Sequence, residues 1–172
     1  ILHGISIFNA YFGTLKGAGN DALSFHLRAV EWAADGSWEF VLSHQLYSQI
    51  LGALYRLTSP GLFLAQELSI LAYSLTCIFL HRLIRLNGVL KHRFGILLLY
   101  SILPGMLLVC SITLREPFQI LFLMMVGLYG SLLIQRYKHL LFFKFLLANI
   151  AVAVSHKALM VYIVFLLLSI LI

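Results

Sequence analysis

Phe94–Leu114 reads FGILLLYSILPGMLLVCSITL, Arg115 and Glu116 follow, and 117–135 resumes as PFQILFLMMVGLYGSLLIQ. Neither run carries a formal charge, and each approaches the ~20 residues needed to cross a hydrocarbon core. The flanks are basic: Arg82, Arg85, Lys91 and Arg93 on one side, Arg136, Lys138 and Lys144 on the other. Apolar runs separated by short polar breaks, with Lys and Arg gathered in every second break, predict a membrane chain whose sidedness is readable.

Composition agrees. Hydrophobic residues make up 62% of the 172 and charged residues 10%, with a mean hydropathy of +0.99. Soluble domains carry roughly 25% charge, so lipid is the simplest solvent for this chain. The net charge of +6 does not indicate nucleic acid. The cations sit at the ends of apolar runs, where they meet lipid headgroups, and form no stripe interleaved with aromatics. Cys77 and Cys110 both fall within apolar runs and read as small hydrophobes, with no disulfide or redox role.

The segments that read as membrane-embedded are 1–12 (a partial span), 62–80, 94–114, 117–134, 140–155 and 158–172. The first and last are too short to span, so the chain reads as a segment of a longer protein. Lys144 lies near one end of its segment and can snorkel to the interface. No soluble linker or internal repeat stands out across 1–172, which reads as a single membrane domain. The expected fold is all-α, a polytopic transmembrane helix bundle with amphipathic interfacial helices in its first extracytoplasmic loop.

The basic breaks 81–93 and 136–144 belong to the cytoplasmic side. Arg115, Glu116, His156 and Lys157 then face outward, as does the loop 13–61. That loop holds four of the six acidic residues, Asp21, Glu31, Asp35 and Glu39. Within it Asn20 is a plausible N-cap and Asp21 opens a helix, where a carboxylate favours the helix dipole. Ala22, Phe25, His26, Ala29, Val30 and Ala33 recur at helical spacing, and Gly36 closes the stripe. A second amphipathic stretch, about 43–57, places Leu46, Ile50, Leu54 and Leu57 on one side. Trp32, Trp38, Tyr47 and Tyr55 suit the lipid–water boundary. Two helices lying flat on the outer face is the resulting expectation. Pro104-Gly105, midway along 94–114, should kink that span, since proline removes a backbone bond.

Asp21 leads the candidate site residues. Gly17 and Gly19 allow a sharp turn before it, and a carboxylate at the membrane boundary can take a proton from a hydroxyl; its other role is to help cap its own helix. Arg115 with Glu116, and His156 with Lys157, occupy successive outer turns and could clamp a phosphate or pyrophosphate. Their alternative is an Arg115–Glu116 pair and a snorkelling Lys157. His26 stands near Asp21 but five residues away, a poor spacing for a ligand pair on one helix, and no HxxxH, HExxH or CxxC occurs. No metal or haem site is expected. Glu67 is a weaker candidate for the same cavity. A transporter is disfavoured because no span carries a charge near its middle.

The stretch Asn20–Trp38, NDALSFHLRAVEWAADGSW, resembles the first outer loop of membrane glycosyltransferases with the GT-C fold, the bacterial relatives of protein mannosyltransferases. Leu54-Tyr55-Arg56-Leu57, the span from Leu62, Ser101-Ile102-Leu103-Pro104 and Leu114-Arg115-Glu116-Pro117 are also similar. The likeness covers residues 5–135. It implies a polyprenyl-phosphate-linked sugar donor used at the outer face of a bacterial inner (cytoplasmic) membrane. Asp21 would then be the general base of an inverting transfer. Arg115 and Lys157 would steady the departing lipid phosphate. Apart from the resemblance, Glu116, His156 and His26 complete the candidate substrate- or phosphate-binding residues read from the sequence. Many members carry two adjacent acids where this chain has Asn20-Asp21. That difference counts against a divalent metal, the one cofactor the family could imply. Two other readings stand beside it: a Wzy-type polysaccharide polymerase or ligase, in which Arg115 outweighs Asp21, and a non-catalytic subunit held by other membrane subunits. With Cys77 and Cys110 replaced, a membrane-impermeant thiol reagent added from outside should label Gly36→Cys or Arg115→Cys but not Gly88→Cys. The opposite pattern would remove the outward-facing site.

Overall fold

The computed structural model describes residues 2–4, 7, 21–36, 46–155, 159 and 161, and every regular element among them is helical. Helix α1 is Asp21–Asp35, α2 Leu46–Leu57, α3 Leu62–Leu86, α4 Arg93–Ile102, α5 Pro104–Cys110, α6 Glu116–Gln135 and α7 His139–Ser155. Two of these, α3 and α6, are long and apolar enough to cross a membrane. The α4–α5 pair makes a third candidate if it is taken as one span, and α7 is a shorter apolar helix. At 1.5 Å per residue α3 is about 38 Å long and α6 about 30 Å, matching a ~30 Å hydrocarbon core. Helix α4 buries none of its residues and exposes Phe94, Leu98, Leu99 and Ile102.

Helix α6 is the centre of the long-helix layer, packing on α3 along one side and α7 along the other. Val126 of α6 joins Phe145, Ala148 and Val152 of α7 in a buried cluster. Gly130 makes room there: a Cβ at that position would stand 3.3 Å from the Phe145 ring. Toward α3, Tyr129 meets Phe79 edge to face at 6.3 Å, and the Gln135 amide donates to Leu86 O. The end of α3 is set by Asn87 and Gly88. Gly88 takes φ +73, and Val89 N–H donates back to Ile84 O at 3.2 Å. This is the left-handed stop that glycine favours.

The expected continuous span 94–114 is two helices bent by 60°. Leu103 stands between them at φ −57, ψ 119, because the residue before proline is driven out of the helical region. Pro104 therefore opens α5 and does not kink a continuous helix. Residues 111–114 are no longer helical, yet all four are buried. The segment expected at 62–80 continues to Leu86. Of the partial span 1–12, only 2–4 and 7 are described, and of 158–172 only 159 and 161, all helical. The proposed cap Asn20 and Trp38 lie outside the described residues.

Helices α1 and α2 form a tight pair. Ala29 of α1 is fully buried against Leu51 and Tyr55 of α2 and Ala65 of α3. A Cβ on Gly52 would lie 2.8 Å from Ala29 O and 2.8 Å from Trp32 Cε3. Arg56 locks the crossing. Its Nε donates to Ala33 O at 3.1 Å and its Nη2 to Trp32 O at 2.6 Å, satisfying carbonyls in the last turn of α1. The same guanidinium lies 4.3 Å from the Trp32 ring centroid. Trp32, Tyr47 and Tyr55, expected at the lipid–water boundary, take part in this packing. Trp32 and Tyr47 are half-buried, and Tyr55 retains only 2% of its exposure.

Gly52→Ala should destabilise the protein. Alanine gains up to about 1 kcal/mol of helix propensity, but overpacking costs about 1–3 kcal/mol, and the blocking atom is a backbone oxygen that cannot turn aside. Thermal unfolding in detergent should show a lowered Tm; an unchanged or raised Tm would contradict this packing.

Candidate functional site

An apolar cavity of about 440 Å³ lies beneath α2. The stripe Leu46, Ile50, Leu54 and Leu57, expected from helical spacing to share one side, forms one wall. Phe118 and Phe122 of α6, with Val154 and Ser155 at the end of α7, form another. Arg115 is the one charged residue among those that line it. The size falls within the ~300–1,000 Å³ of small-molecule sites.

Arg115 is positioned by the buried connection between α5 and α6. Ile112 and Leu114 pack against Phe25 of α1, and the Arg115 guanidinium stands 5.7 Å from the Phe25 ring centroid. Tyr47 closes the other side, meeting Phe25 edge to face at 5.3 Å and Phe118 at 5.7 Å. Sequence spacing could not find Tyr47 as the link among α1, α2 and α6, because its partners are far away in the chain. Burial raises its phenol pKa well above the usual tyrosine range, so the ring stays neutral.

The Arg115–Glu116 pair exists but is loose. Nε and Oε1 are 3.7 Å apart, beyond hydrogen-bonding distance. Arg115 Nε and Glu116 Oε2 are both buried atoms without a hydrogen-bond partner. The guanidinium thus keeps donor capacity that its neighbour does not use.

Asp21 begins α1 one turn before Phe25, and its side chain is exposed. The helix that opens at Asp21 and the turn carrying Arg115 therefore meet, through Phe25 with Ile112 and Leu114. His156 and Lys157 lie outside the described residues, although Ser155 just before them lines the cavity and accepts a hydrogen bond from Gln119 Nε2 at 3.2 Å. Glu67 does not line the cavity; it pairs with His3 at 2.9 Å.

His26 is turned toward α2. Its Nδ1 lies 2.7 Å from the Tyr55 hydroxyl oxygen, and the Tyr55 O–H donates to Gly61 O at 3.1 Å. Tyrosine has one proton to give, so the chain assigns the imidazole N–H to Nδ1 and leaves Nε2 as the bare nitrogen. Burial lowers the His26 pKa from its ordinary 6.5. A neutral ring accepts or donates a hydrogen bond but brings no positive charge to a phosphate.

Among the described residues, no three His, Cys, Asp or Glu side chains gather as a metal site. Compared with known proteins, the chain matches no family model, no curated protein and no solved structure.

The His26 shift has a definite sign. Just below pH 6.5 the unfolded chain takes up a proton on this residue that the folded chain refuses. Stability should therefore fall as pH drops through 6.5 and level off below the folded-state pKa. His26→Gln should remove that component from a pH series of unfolding. In the native protein, the His26 imidazole resonances should titrate below 6.5; titration at or above that value would contradict the burial.

Proposed function

We propose that this chain is a membrane glycosyltransferase that moves a sugar from a polyprenyl-phosphate donor to an acceptor hydroxyl at the extracytoplasmic face. The observation that carries this reading is an apolar cavity with one arginine, Arg115, among its lining residues. A polyprenyl phosphate has the same two-part chemistry: a long hydrocarbon that takes apolar walls and an anionic head that takes charge-assisted hydrogen bonds. The resemblance of 20–38 to a GT-C outer loop supports the same conclusion, as does the outward assignment of that loop from the basic breaks. The setting would be a bacterial inner membrane.

In the proposed step, the acceptor oxygen attacks the anomeric carbon as the bond from that carbon to the phosphate oxygen breaks. The lipid phosphate leaves with the bonding electrons, and the hydroxyl proton passes to the Asp21 carboxylate. Arg115 stabilises the charge growing on the leaving group. Lys157 is a second cation for that phosphate, with Glu116, His156 and His26 supporting the same site. His26, held neutral, would contribute a hydrogen bond at Nε2. No metal is needed in this scheme.

A second reading, a polymerase or ligase acting on a lipid-linked saccharide, is favoured by one contrast. Arg115 lines the cavity, whereas Asp21 is exposed at the start of its helix. The two readings separate by mutation in native membranes with a radiolabelled lipid-linked sugar. Arg115→Ala should slow transfer by about 10²-fold or more, with partial recovery in Arg115→Lys. Asp21→Asn should slow it by about 10²–10⁴-fold. Full output from a properly inserted Asp21→Asn protein would eliminate the base role and leave the polymerase reading. Full output from Arg115→Ala would eliminate both.

A further inference from the structure

A second pocket, of about 520 Å³, opens on the α1–α2 pair and shares no lining residue with the apolar cavity. Arg28, Glu31, Trp32 and Asp35 come from one face of α1, and Ser48 and Gln49 from α2. Its chemistry is the reverse of the first. It carries two carboxylates, one guanidinium, an amide and a hydroxyl around one indole.

Two features set it apart from an ordinary solvated helix face. Ser48 retains 2% of its exposure, and its Oγ is a buried atom with no hydrogen-bond partner. A hydroxyl in that state costs free energy unless something else satisfies it. In addition, Trp32 cannot swing freely, because Arg56 lies over its ring and the Gly52 backbone abuts its Cε3 edge. Arg28, Glu31 and Asp35 form no ion pair with one another or with any described residue. Their hydrogen-bonding capacity is therefore open to a ligand.

We propose that this pocket binds a saccharide, neutral or bearing an amine. Carboxylates accept hydrogen bonds from adjacent hydroxyls, the guanidinium donates, and the serine can do either. The Trp32 indole, which carries the Arg56 guanidinium over its ring, supplies the apolar part of the lining. Two carboxylates against one guanidinium leave the lining one charge negative, which disfavours uronic acids and sugar phosphates. Within the proposed transferase this would be where the acceptor's saccharide rests. That placement depends on the transferase reading, but the binding itself does not.

The test uses the full chain with Trp38→Phe, which leaves Trp32 as the sole tryptophan, in a detergent without a sugar headgroup. Glucose, galactose, mannose, N-acetylglucosamine and α- and β-linked disaccharides are titrated against Trp32 emission, with glycerol as the control. At least one saccharide should give a saturable change that glycerol does not. Glu31→Gln with Asp35→Asn should weaken it by about 10-fold or more, and Ser48→Ala by about 2–10-fold. Circular dichroism checks that each variant keeps its helices, and Ser48→Ala serves if the double variant fails to fold. The proposal is overturned if no saccharide gives a saturable response, if glycerol reproduces it, or if the folded variants bind as well as the parent. A polyprenyl phosphate titrated into the same protein and into Arg115→Ala reports separately on the apolar cavity.

Discussion

The close crossing of α1 and α2 organises everything around the candidate sites. It depends on a missing methyl group and a doubly bonded guanidinium. Gly52 lets the α1 backbone approach to where a Cβ would touch Ala29 O, and Arg56 ties down the carbonyls of Trp32 and Ala33. With that crossing fixed, α2 has two distinct faces. Leu46, Ile50, Leu54 and Leu57 face the apolar cavity, while Ser48 and Gln49 face the polar pocket with α1. Side chains three and four apart lie on one face of a helix, so a single twelve-residue helix can wall two chemically opposite spaces.

The same crossing delivers Phe25 to the turn before Arg115. Residues 111–114 are non-helical backbone among long apolar helices, a place where unsatisfied polar groups are costly unless protein covers them. The α1–α2 pair provides cover on one side, through Phe25 against Ile112 and Leu114. Leu114 N–H finds Ile112 O at 3.0 Å, while the Thr113 hydroxyl remains without a partner.

What the sequence made legible was local and periodic. The stripe Ala22–Ala33 with its stop at Gly36 appears as α1, and Gly36 takes φ +74. The face Leu46–Leu57 appears as α2 with its leucines toward one space. Pro104 was the right place for a break, but the break is larger than a kink, since pre-proline geometry at Leu103 ends one helix before the next begins. The aromatic residues have a packing role that the sequence did not reveal. An amphipathic ring suits a membrane interface and a protein seam equally well. Only partners distant in the chain, such as Phe118 for Tyr47 and His26 for Tyr55, reveal the seam. The packing roles of Gly52 and Arg56 had no sequence signal, because they exist only once α1 lies across α2.

Arg115 is set apart by what its structural partners fail to supply. A guanidinium with a buried donor is expensive unless that donor is satisfied. Glu116 at 3.7 Å and a ring centroid at 5.7 Å are weak compensation. A purely structural arginine in such a place would be expected to make the close, forked contact that Arg56 makes with two carbonyls fewer than 25 residues away in sequence. The chain therefore holds two arginines on neighbouring elements with different contacts: Arg56 donates to two carbonyls, while Arg115 Nε has no hydrogen-bond partner. On the proposed reading, the second is the group that meets the phosphate of the lipid carrier.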